Sequence, residues 1–221
     1  MLYCGAVWAG EYADGMVAYR KKDYVTAFNK FKLAAAQGDA AAQFNLGVMY
    51  DEGLGVVQDY AEAVRWYSLV AAQGFPQAQF NLAFMYEEGK GVVQDYSESL
   101  RWYRLAATQG SAQAQNNLGT KYQFGRGVAQ DPVEAVRWYK LAAEQGYATA
   151  QFNLGVMYSR GLGIVQDYKR AHMWSNLAVL TGDQDAVKLR DLVAAKMNSK
   201  QIAEAQKLAK ECQGRNFKNC D

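Results

Sequence analysis

Apolar and small residues recur along this chain at helical spacing, in a pattern that repeats every 36 residues. In the second copy, Ala78, Leu82 and Tyr86 stand at i, i+4 and i+8, which places them on one face of a helix with 3.6 residues per turn. A unit of this length buries its apolar face only against the next copy. The sequence therefore predicts an all-α stack of helix pairs. The four copies are residues 39–74, 75–110, 111–146 and 147–182.

Each copy is predicted to contain two helices joined by a glycine loop. The first helix, helix A, should end at Gly89 and Gly91 in the second copy, because glycine tolerates the positive φ of a helix C-terminus. The second, helix B, should begin after Asp95, whose carboxylate can accept from free backbone amides. In the third copy Pro132 follows Asp131, at the first helical position, where a missing N–H costs nothing.

The segments outside the four copies are predicted to cap the stack. Residues 10–38 read as a shorter helix pair, and residues 183–221 read as two further helices, over 185–194 and 199–211. Ser199 is the predicted N-cap of the last helix. Terminal units need a polar outer face to stay soluble, and the lysines of the last segment supply one.

The residues shared by the copies resemble the Sel-one-like repeat, a 36-residue relative of the tetratricopeptide repeat. The shared pattern is Ala-Gln-x-Asn-Leu-Gly-x-x-Tyr-x-x-Gly-x-Gly-Val-x-x-Asp, followed by Ala-x-x-Trp-Tyr-x-x-Ala-Ala-x-x-Gly. It covers residues 39–182 with small departures, among them Ala83, for a glycine, and Ser175, for a tyrosine. The resemblance implies a right-handed, tetratricopeptide-like α/α solenoid of antiparallel helix pairs, with residues 10–38 as a tetratricopeptide-like first unit. It also implies a bacterial protein that assembles or regulates envelope or signalling complexes.

Composition gives no sign of a nucleic-acid or membrane partner. The formal net charge of +2 is too small for the clustered basic surface that nucleic acid requires. No stretch approaches the roughly 20 apolar residues of a membrane span. With 50% hydrophobic side chains in 221 residues, the chain can bury a substantial core, and we expect a monomer.

The two ends of the chain both bear on its compartment. Residues 1–9 are too short for a complete signal peptide, but their last three residues resemble a signal-peptidase site, so we interpret them as the remnant of an export signal; an ordinary N-terminus is the alternative. Cys212 and Cys220 can form a disulfide, as an oxidising compartment favours; two free thiols in a cytosolic protein are the alternative. Both signals favour a periplasmic or secreted protein over a cytoplasmic one.

No residue pattern predicts catalysis, a cofactor or a metal site. His172, the single histidine, stands at a packing position of helix B with no second histidine or cysteine near it in sequence. The Gly-x-Gly of the loop lacks the preceding strand that a dinucleotide site needs. The carboxylates Asp51, Glu52, Glu87 and Glu88 stand at helix ends, with no apolar pocket predicted to raise their pKa.

A second face of helix A points away from the packed stripe, because residues on a helix are separated by 100° each. In the tetratricopeptide relatives helix A lines a concave surface that touches bound peptide. The resemblance therefore implies a protein-binding groove on this face, acidic in its N-terminal half and neutral to basic beyond. The predicted groove residues are Phe44, Val48, Asp51, Glu52, Phe80, Phe84, Glu87, Glu88, Asn116, Phe124, Phe152 and Arg160.

The favoured function is a non-catalytic scaffold or adaptor that binds a protein or peptide, whose apolar anchor and basic residue would suit the groove and its carboxylates. The aromatic rings can instead pack wholly inside the stack, in which case no groove exists. A structural or chaperone-like protein that self-associates is a second possibility. A β-lactamase-like hydrolase is a third, since certain cysteine-rich relatives have been linked to that reaction, although this sequence lacks their cysteine pairs and a serine-lysine motif.

Overall fold

The computed structural model describes residues 4–220, with side chains described from residue 10 onward. Regular structure within this range is helical, and no strand occurs in it, which confirms the predicted all-α class. The predicted export-signal remnant, residues 1–9, lies outside the described side chains. The helices are α1 (Cys4–Arg20), α2 (Tyr24–Ala36), α3 (Ala40–Glu52), α4 (Tyr60–Ala72), α5 (Pro76–Glu88), α6 (Tyr96–Thr108), α7 (Ala112–Phe124), α8 (Pro132–Ala143), α9 (Ala148–Arg160), α10 (Tyr168–Ala178), α11 (Gln184–Ala194) and α12 (Ser199–Gly214), with a 3-10 turn at Val179–Thr181.

The chain divides into two compact units, residues 1–105 and 106–221, and the boundary falls inside α6. In the first unit α1 packs on α2, α2 on α3, α3 on α4 and α4 on α5. In the second unit α7 packs on α8, α8 on α9 and α9 on α10, while α11 and α12 both pack on α10. Packing between successive helices is the arrangement of the predicted tetratricopeptide-like α/α-solenoid class. Helix A is α3, α5, α7 or α9 in the four copies, and helix B is α4, α6, α8 or α10.

Helix B begins at an aspartate cap in every copy. Asp95, the cap predicted for the second copy, accepts hydrogen bonds from Ser97 N at 2.8 Å and Glu98 N at 3.0 Å. Pro132 occupies the first position of α8, as predicted. These side chains satisfy amides that have no partner inside the helix. The corresponding caps in the other copies are Asp59, Asp131 and Asp167.

The N-cap of the last helix lies one residue earlier than the sequence predicted. Asn198, and not Ser199, is the N-cap of α12. The Asn198 side chain accepts from Gln201 N at 2.9 Å, and the Gln201 side chain accepts from Asn198 N at the same distance. This reciprocal capping box satisfies two backbone donors at once, whereas a Ser199 cap would satisfy one.

A buried glutamine in each helix A ties it to the preceding helix. Gln43 Nε2 donates to Ala35 O at 3.2 Å, and Gln79 Nε2 donates to Ala71 O at 3.2 Å. In the second unit Gln115 repeats the bond, to Ala107 O at 3.0 Å. The carbonyls at a helix C-terminus have no partner within the helix, so a buried amide donor offsets the cost of removing them from water. This bond explains the glutamine that every copy carries.

The two loop glycines have different structural roles. Gly89 ends α5 in the left-handed conformation, at φ 66°. Gly91, at φ 70°, packs so closely on the Tyr60 carbonyl at the start of α4 that any Cβ would overlap it. The loop of the second copy is therefore fixed against the first turn of the preceding helix B.

The C-terminal segment of the second unit is covalently closed. Cys212, at the end of α12, forms a disulfide with Cys220 across a sequence separation of 8 residues. Both cysteines are buried in the core cluster that includes Tyr139, Leu154 and Trp174. The closed segment thus forms part of the hydrophobic core of its own unit.

Candidate binding face

The inner aromatic residues of the predicted groove are half-buried. In the first unit, the Phe44 ring lies 5.8 Å from the Tyr67 ring, centroid to centroid, and the Phe80 ring lies 5.6 Å from the Tyr103 ring. Phe44 and Val48 both pack against the core cluster between α3, α4 and α5. Each ring therefore has one side in the core and one side toward solvent, so neither the open groove nor complete burial describes these residues.

The outer residues of the same face are exposed in the first unit. Phe84 keeps 38% of its surface accessible, and Glu52 and Glu88 at the ends of α3 and α5 are exposed. We call this set the helix-A face of the first unit: Phe44, Val48, Asp51, Glu52, Phe80, Phe84, Glu87 and Glu88. It combines exposed apolar surface with four carboxylates.

Two of these carboxylates accept hydrogen bonds from buried tyrosines. Tyr67 donates its hydroxyl to Asp51 Oδ2 at 3.3 Å, and Tyr103 donates to Glu87 Oε2 at 3.1 Å. Burial raises the pKa of Asp51, although the Tyr67 hydroxyl and the nearby Lys90 oppose the rise. Burial, with the Asp51 charge adding to it, also raises the pKa of Tyr67. The expectation that no apolar environment would raise a carboxylate pKa here was wrong for Asp51, because its side chain lies at the margin of the core.

A cation that the sequence analysis did not identify also lies on this face. Lys90 Nζ lies 5.0 Å from the centroid of the Phe84 ring and 5.6 Å from that of Tyr60. Both distances are within the range of cation–π attraction. The available signal was a difference between copies, because the first copy carries Leu54 at the position of Lys90.

The helix-A face of the second unit is different in chemistry. Asn116 is only 6% exposed and accepts from Asn153 Nδ2 at 2.9 Å, so it bridges α7 and α9. Phe152 is half-buried, while Phe124 is 58% exposed with the Arg126 guanidinium 5.7 Å from its ring centroid. Arg160 is exposed at the end of α9. The structure therefore places three of the four predicted residues at a surface, and buries the side chain of Asn116.

In the second unit, the corresponding tyrosine hydroxyl donates its hydrogen bond to a side-chain amide. Tyr139 donates to Gln123 Oε1 at 2.7 Å, and its hydroxyl lies 3.1 Å from Thr120 Oγ1. Burial raises the pKa of Tyr139 to about 12. The tyrosine is thus neutral at all physiological pH values, and it serves as a hydrogen-bond donor to a neutral acceptor.

Two buried polar residues lie away from this face. His172 is 2% exposed in α10, its Nδ1 has no hydrogen-bond partner in the structure, and burial lowers its pKa. Lys121 is buried in α7, where the other copies carry methionines, and sequence reasoning did not single it out. In the described part of the chain no group of three or more His, Cys, Asp or Glu residues is arranged to hold a metal ion. None of the described helices combines the length and apolarity needed to cross a membrane.

Helix pairs joined by glycine loops, with one face of helix A left partly exposed, define an α-solenoid repeat protein. The sequence model of the Sel1 repeat family matches most of the chain, so the protein belongs to that family. The first match overlaps the helix pair predicted as an N-terminal cap. The matched segments are residues 8–39, 40–75, 76–111, 112–147 and 148–183.

Solved structures of bacterial proteins share the fold. A Sel1 repeat protein from Oxalobacter formigenes is 36% identical, with a TM-score of 0.74 over 79% of this chain and 72% of that chain. The protein c5321, a protective antigen present in uropathogenic Escherichia coli strains, is 38% identical, with a TM-score of 0.82 over 92% of this chain and 46% of that chain. The chain thus spans about half the length of c5321. Among curated proteins, none matches the chain significantly.

Proposed function

We propose that the protein is a non-catalytic scaffold or adaptor, which binds another protein or peptide through the helix-A face of its first unit. The observation that carries this proposal is the pair of carboxylates bonded by tyrosines. Gln123 accepts the same bond in the second unit without a charge. The tyrosine bond therefore needs an acceptor at this position but not a negative charge, which supports a role for the Asp51 charge in binding a partner.

The chemistry of the face indicates the kind of partner. Four carboxylates suit a segment that carries a basic residue, since opposite charges across an interface favour encounter and fix register. The half-buried rings and the exposed Phe84 suit an apolar anchor, because buried aromatic contacts supply much of the energy of an interface. Self-association and β-lactam hydrolysis have no comparable support from a particular group of residues.

We also propose that the protein works in a bacterial envelope compartment, periplasmic or secreted. The disulfide between Cys212 and Cys220 supports this proposal, because such bonds persist in oxidising compartments and are rare in the bacterial cytosol. A mass measurement of the protein from its native host, without reductant and with thiol alkylation, tests it. Alkylation of both Cys212 and Cys220 in the freshly isolated protein would point to the cytoplasm.

The experiment for the binding function compares three forms of the full chain. The face variant is Phe84→Ala with Glu88→Lys, two exposed positions whose change leaves the core intact. The control variant, Leu33→Ala with Lys32→Glu, makes a matched apolar truncation and charge reversal on exposed positions of α2. All three are used to capture proteins from an extract of the host, and the captured proteins are identified by mass spectrometry.

We expect a protein that is recovered with the native and control forms and lost with the face variant. Binding of the purified partner should then weaken by at least about tenfold in the face variant, since loss of a single interface hot spot often costs more than 1.4 kcal/mol. Recovery of the same proteins by all three forms would show that the face does not carry the function.

A further inference from the structure

The loop of the second copy holds Lys90 at a defined place. Gly91 locks the loop onto the Tyr60 carbonyl, and Lys90 N donates to Met85 O at 3.0 Å at the end of α5. With its backbone fixed on both sides, the Lys90 side chain extends from the loop that follows α5 toward Tyr60 of α4 and Phe84 of α5. Its position is thus set by the packing of the copy and not by a freely moving loop.

The Lys90 ammonium lies against two aromatic rings, and its charge also acts on a nearby carboxyl group. Phe84 and Tyr60 lie 5.0 Å and 5.6 Å from Nζ, measured to the ring centroids. Lys90 also lowers the pKa of Asp51, against the larger effect of burial, so its charge is felt at that carboxylate. We call Tyr60, Phe84 and Asp51 the cation cage. Aromatic faces combined with a carboxylate form a site that prefers cations, because the negative face of each ring adds to the carboxylate charge.

The fold does not require a cation at this place. The positions that correspond to Lys90 are Leu54 in the first copy and Leu162 in the fourth, and both loops have the same glycine geometry. The position of Phe84 is taken by Val48 in the first copy. The third copy carries a loop cation, Arg126, but has Thr120 at the position of Phe84. A loop cation together with an aromatic residue at the Phe84 position therefore occurs in the second copy alone among the four, on the face that we propose as the binding face.

We infer that the cation cage is the subsite for a lysine side chain of the partner, and that Lys90 occupies it as an internal competitor. This inference rests on the proposed function and specifies its partner as a peptide segment with an exposed lysine. An incoming ammonium displaces Lys90 into solvent, so the cage holds one cation before and after the exchange. Phe44 and Phe80, half-buried residues of the helix-A face, offer apolar surface for a neighbouring partner residue.

The test uses n-butylammonium chloride as a probe, because it reproduces the end of a lysine side chain, and 1-butanol as the neutral probe of the same length. Aromatic NMR signals of Phe84 and Tyr60 are followed during titration of three full-length forms: native, Lys90→Ala, and Lys90→Ala with Phe84→Val. The last substitution introduces the residue that the first copy carries, so the fold tolerates it at the corresponding position. Circular dichroism confirms equal helix content.

We expect Lys90→Ala to bind n-butylammonium about tenfold more tightly than the native protein, as follows if Lys90 fills the cage about nine-tenths of the time. The double variant should lose most of this gain, and 1-butanol should show none. The pKa of Asp51 should rise in Lys90→Ala and fall again when the probe saturates. Equal binding to the native protein and Lys90→Ala, or an equal gain for 1-butanol, would overturn the inference.

The two hypotheses fail separately. If the cage takes no ammonium but the face variant still loses its partner, only the lysine subsite is wrong. If Lys90→Ala gains the ammonium and no partner is lost with the face variant, the proposed binding function is wrong although the cage is real.

Discussion

An equivalent buried tyrosine donates its hydroxyl to a carboxylate in the first unit and to a side-chain amide in the second. Tyr67 donates to Asp51 and Tyr139 donates to Gln123, from equivalent positions of helix B to equivalent positions of helix A. Each bond joins the two helices of one copy, so the structural task is identical. The difference teaches that the repeat specifies a hydrogen-bond acceptor, while its charge is left free to vary between copies.

The two units also differ in how charge is placed around that bond. In the first unit, Lys90 lies against the rings of Tyr60 and Phe84 and its charge lowers the pKa of Asp51. In the second unit the corresponding loop cation, Arg126, lies over Phe124. The second unit adds the disulfide-closed C-terminal segment. A shared repeat thus carries an acidic, partly apolar face in one unit and a neutral to basic one in the other.

The largest effect on stability is expected from removing the tyrosine that both units share. Tyr67→Ala and Tyr139→Ala should each lower the free energy of unfolding by about 3–5 kcal/mol, because each leaves a large cavity in a closed core. Denaturant unfolding followed by circular dichroism measures this. A much smaller cost at one of the two sites would show that the bonds are not structurally equivalent.

The next largest effect on stability is expected from removing the disulfide of the second unit, which should leave the first unit unchanged. Cys212→Ser with Cys220→Ser should destabilise the C-terminal segment by about 2–3 kcal/mol, as chain-entropy arithmetic gives for a short closed loop. Amide hydrogen exchange should quicken in α12, at the end of the second unit, and stay unchanged in α4 of the first. Equal changes in both helices would mean that the units do not respond separately.

Neutralising the carboxylates should separate stability from binding. Asp51→Asn with Glu87→Gln keeps an acceptor for each tyrosine, so the free energy of unfolding should change by less than about 1 kcal/mol, the worth of a typical hydrogen bond. Partner capture should nevertheless fall. The reciprocal change, Gln123→Glu, should leave stability nearly unaltered at neutral pH and serves as the control. Loss of stability without loss of capture would make the charges structural.

The smallest effect is an opposite response of the two units to acid. The folded pKa of Asp51 is raised, so the folded state binds its proton more tightly than the unfolded state does, and stability rises as the pH falls through the folded pKa toward the ordinary value of 3.8. The folded pKa of His172 is lowered, so its contribution is complete above the ordinary value of 6.5 and is lost as the pH falls from there toward the folded pKa.

Amide hydrogen exchange of α3 and α10 at several pH values, with Asp51→Asn and His172→Gln as controls, measures these two contributions. Asp51→Asn should remove the acid stabilisation of α3, and His172→Gln should remove the acid sensitivity of α10. A response of the same sign in both helices, unchanged by the two substitutions, would contradict the assignment to these residues.

Local signals in the sequence predicted the helices and most of their ends. The cap of α6 at Asp95, the first position of α8 at Pro132 and the glycine end of α5 were all predicted, because each depends on contacts within a few residues. The cap of α12 was assigned to Ser199 in error, since two adjacent cap formers compete there and only the reciprocal bond between Asn198 and Gln201 decides between them.

The residues of the proposed binding face could be predicted from their positions in the repeat, but their exposure could not. Helical geometry placed Phe44, Phe80 and Phe84 on one face, and the structure gives them different exposures. Asn116 belongs to the same columns, yet it is buried against Asn153 from the next helix A. How far a side chain is covered depends on the size of the neighbours that pack on it, and those neighbours lie a whole repeat away in sequence.

The sequence by itself determined the repeat, the helix pairs, the glycine loops and the family, because period, capping and turn conformation act over short stretches of chain. Only the tertiary structure decided that the partly buried Asp51 accepts a hydrogen bond from Tyr67, and that the uncharged Gln123 accepts the equivalent bond from Tyr139. It also decided that Lys90 lies against the rings of Tyr60 and Phe84. Each of these contacts joins residues on different helices or loops. Their geometry is set by how the helices pack, which no short stretch of sequence specifies.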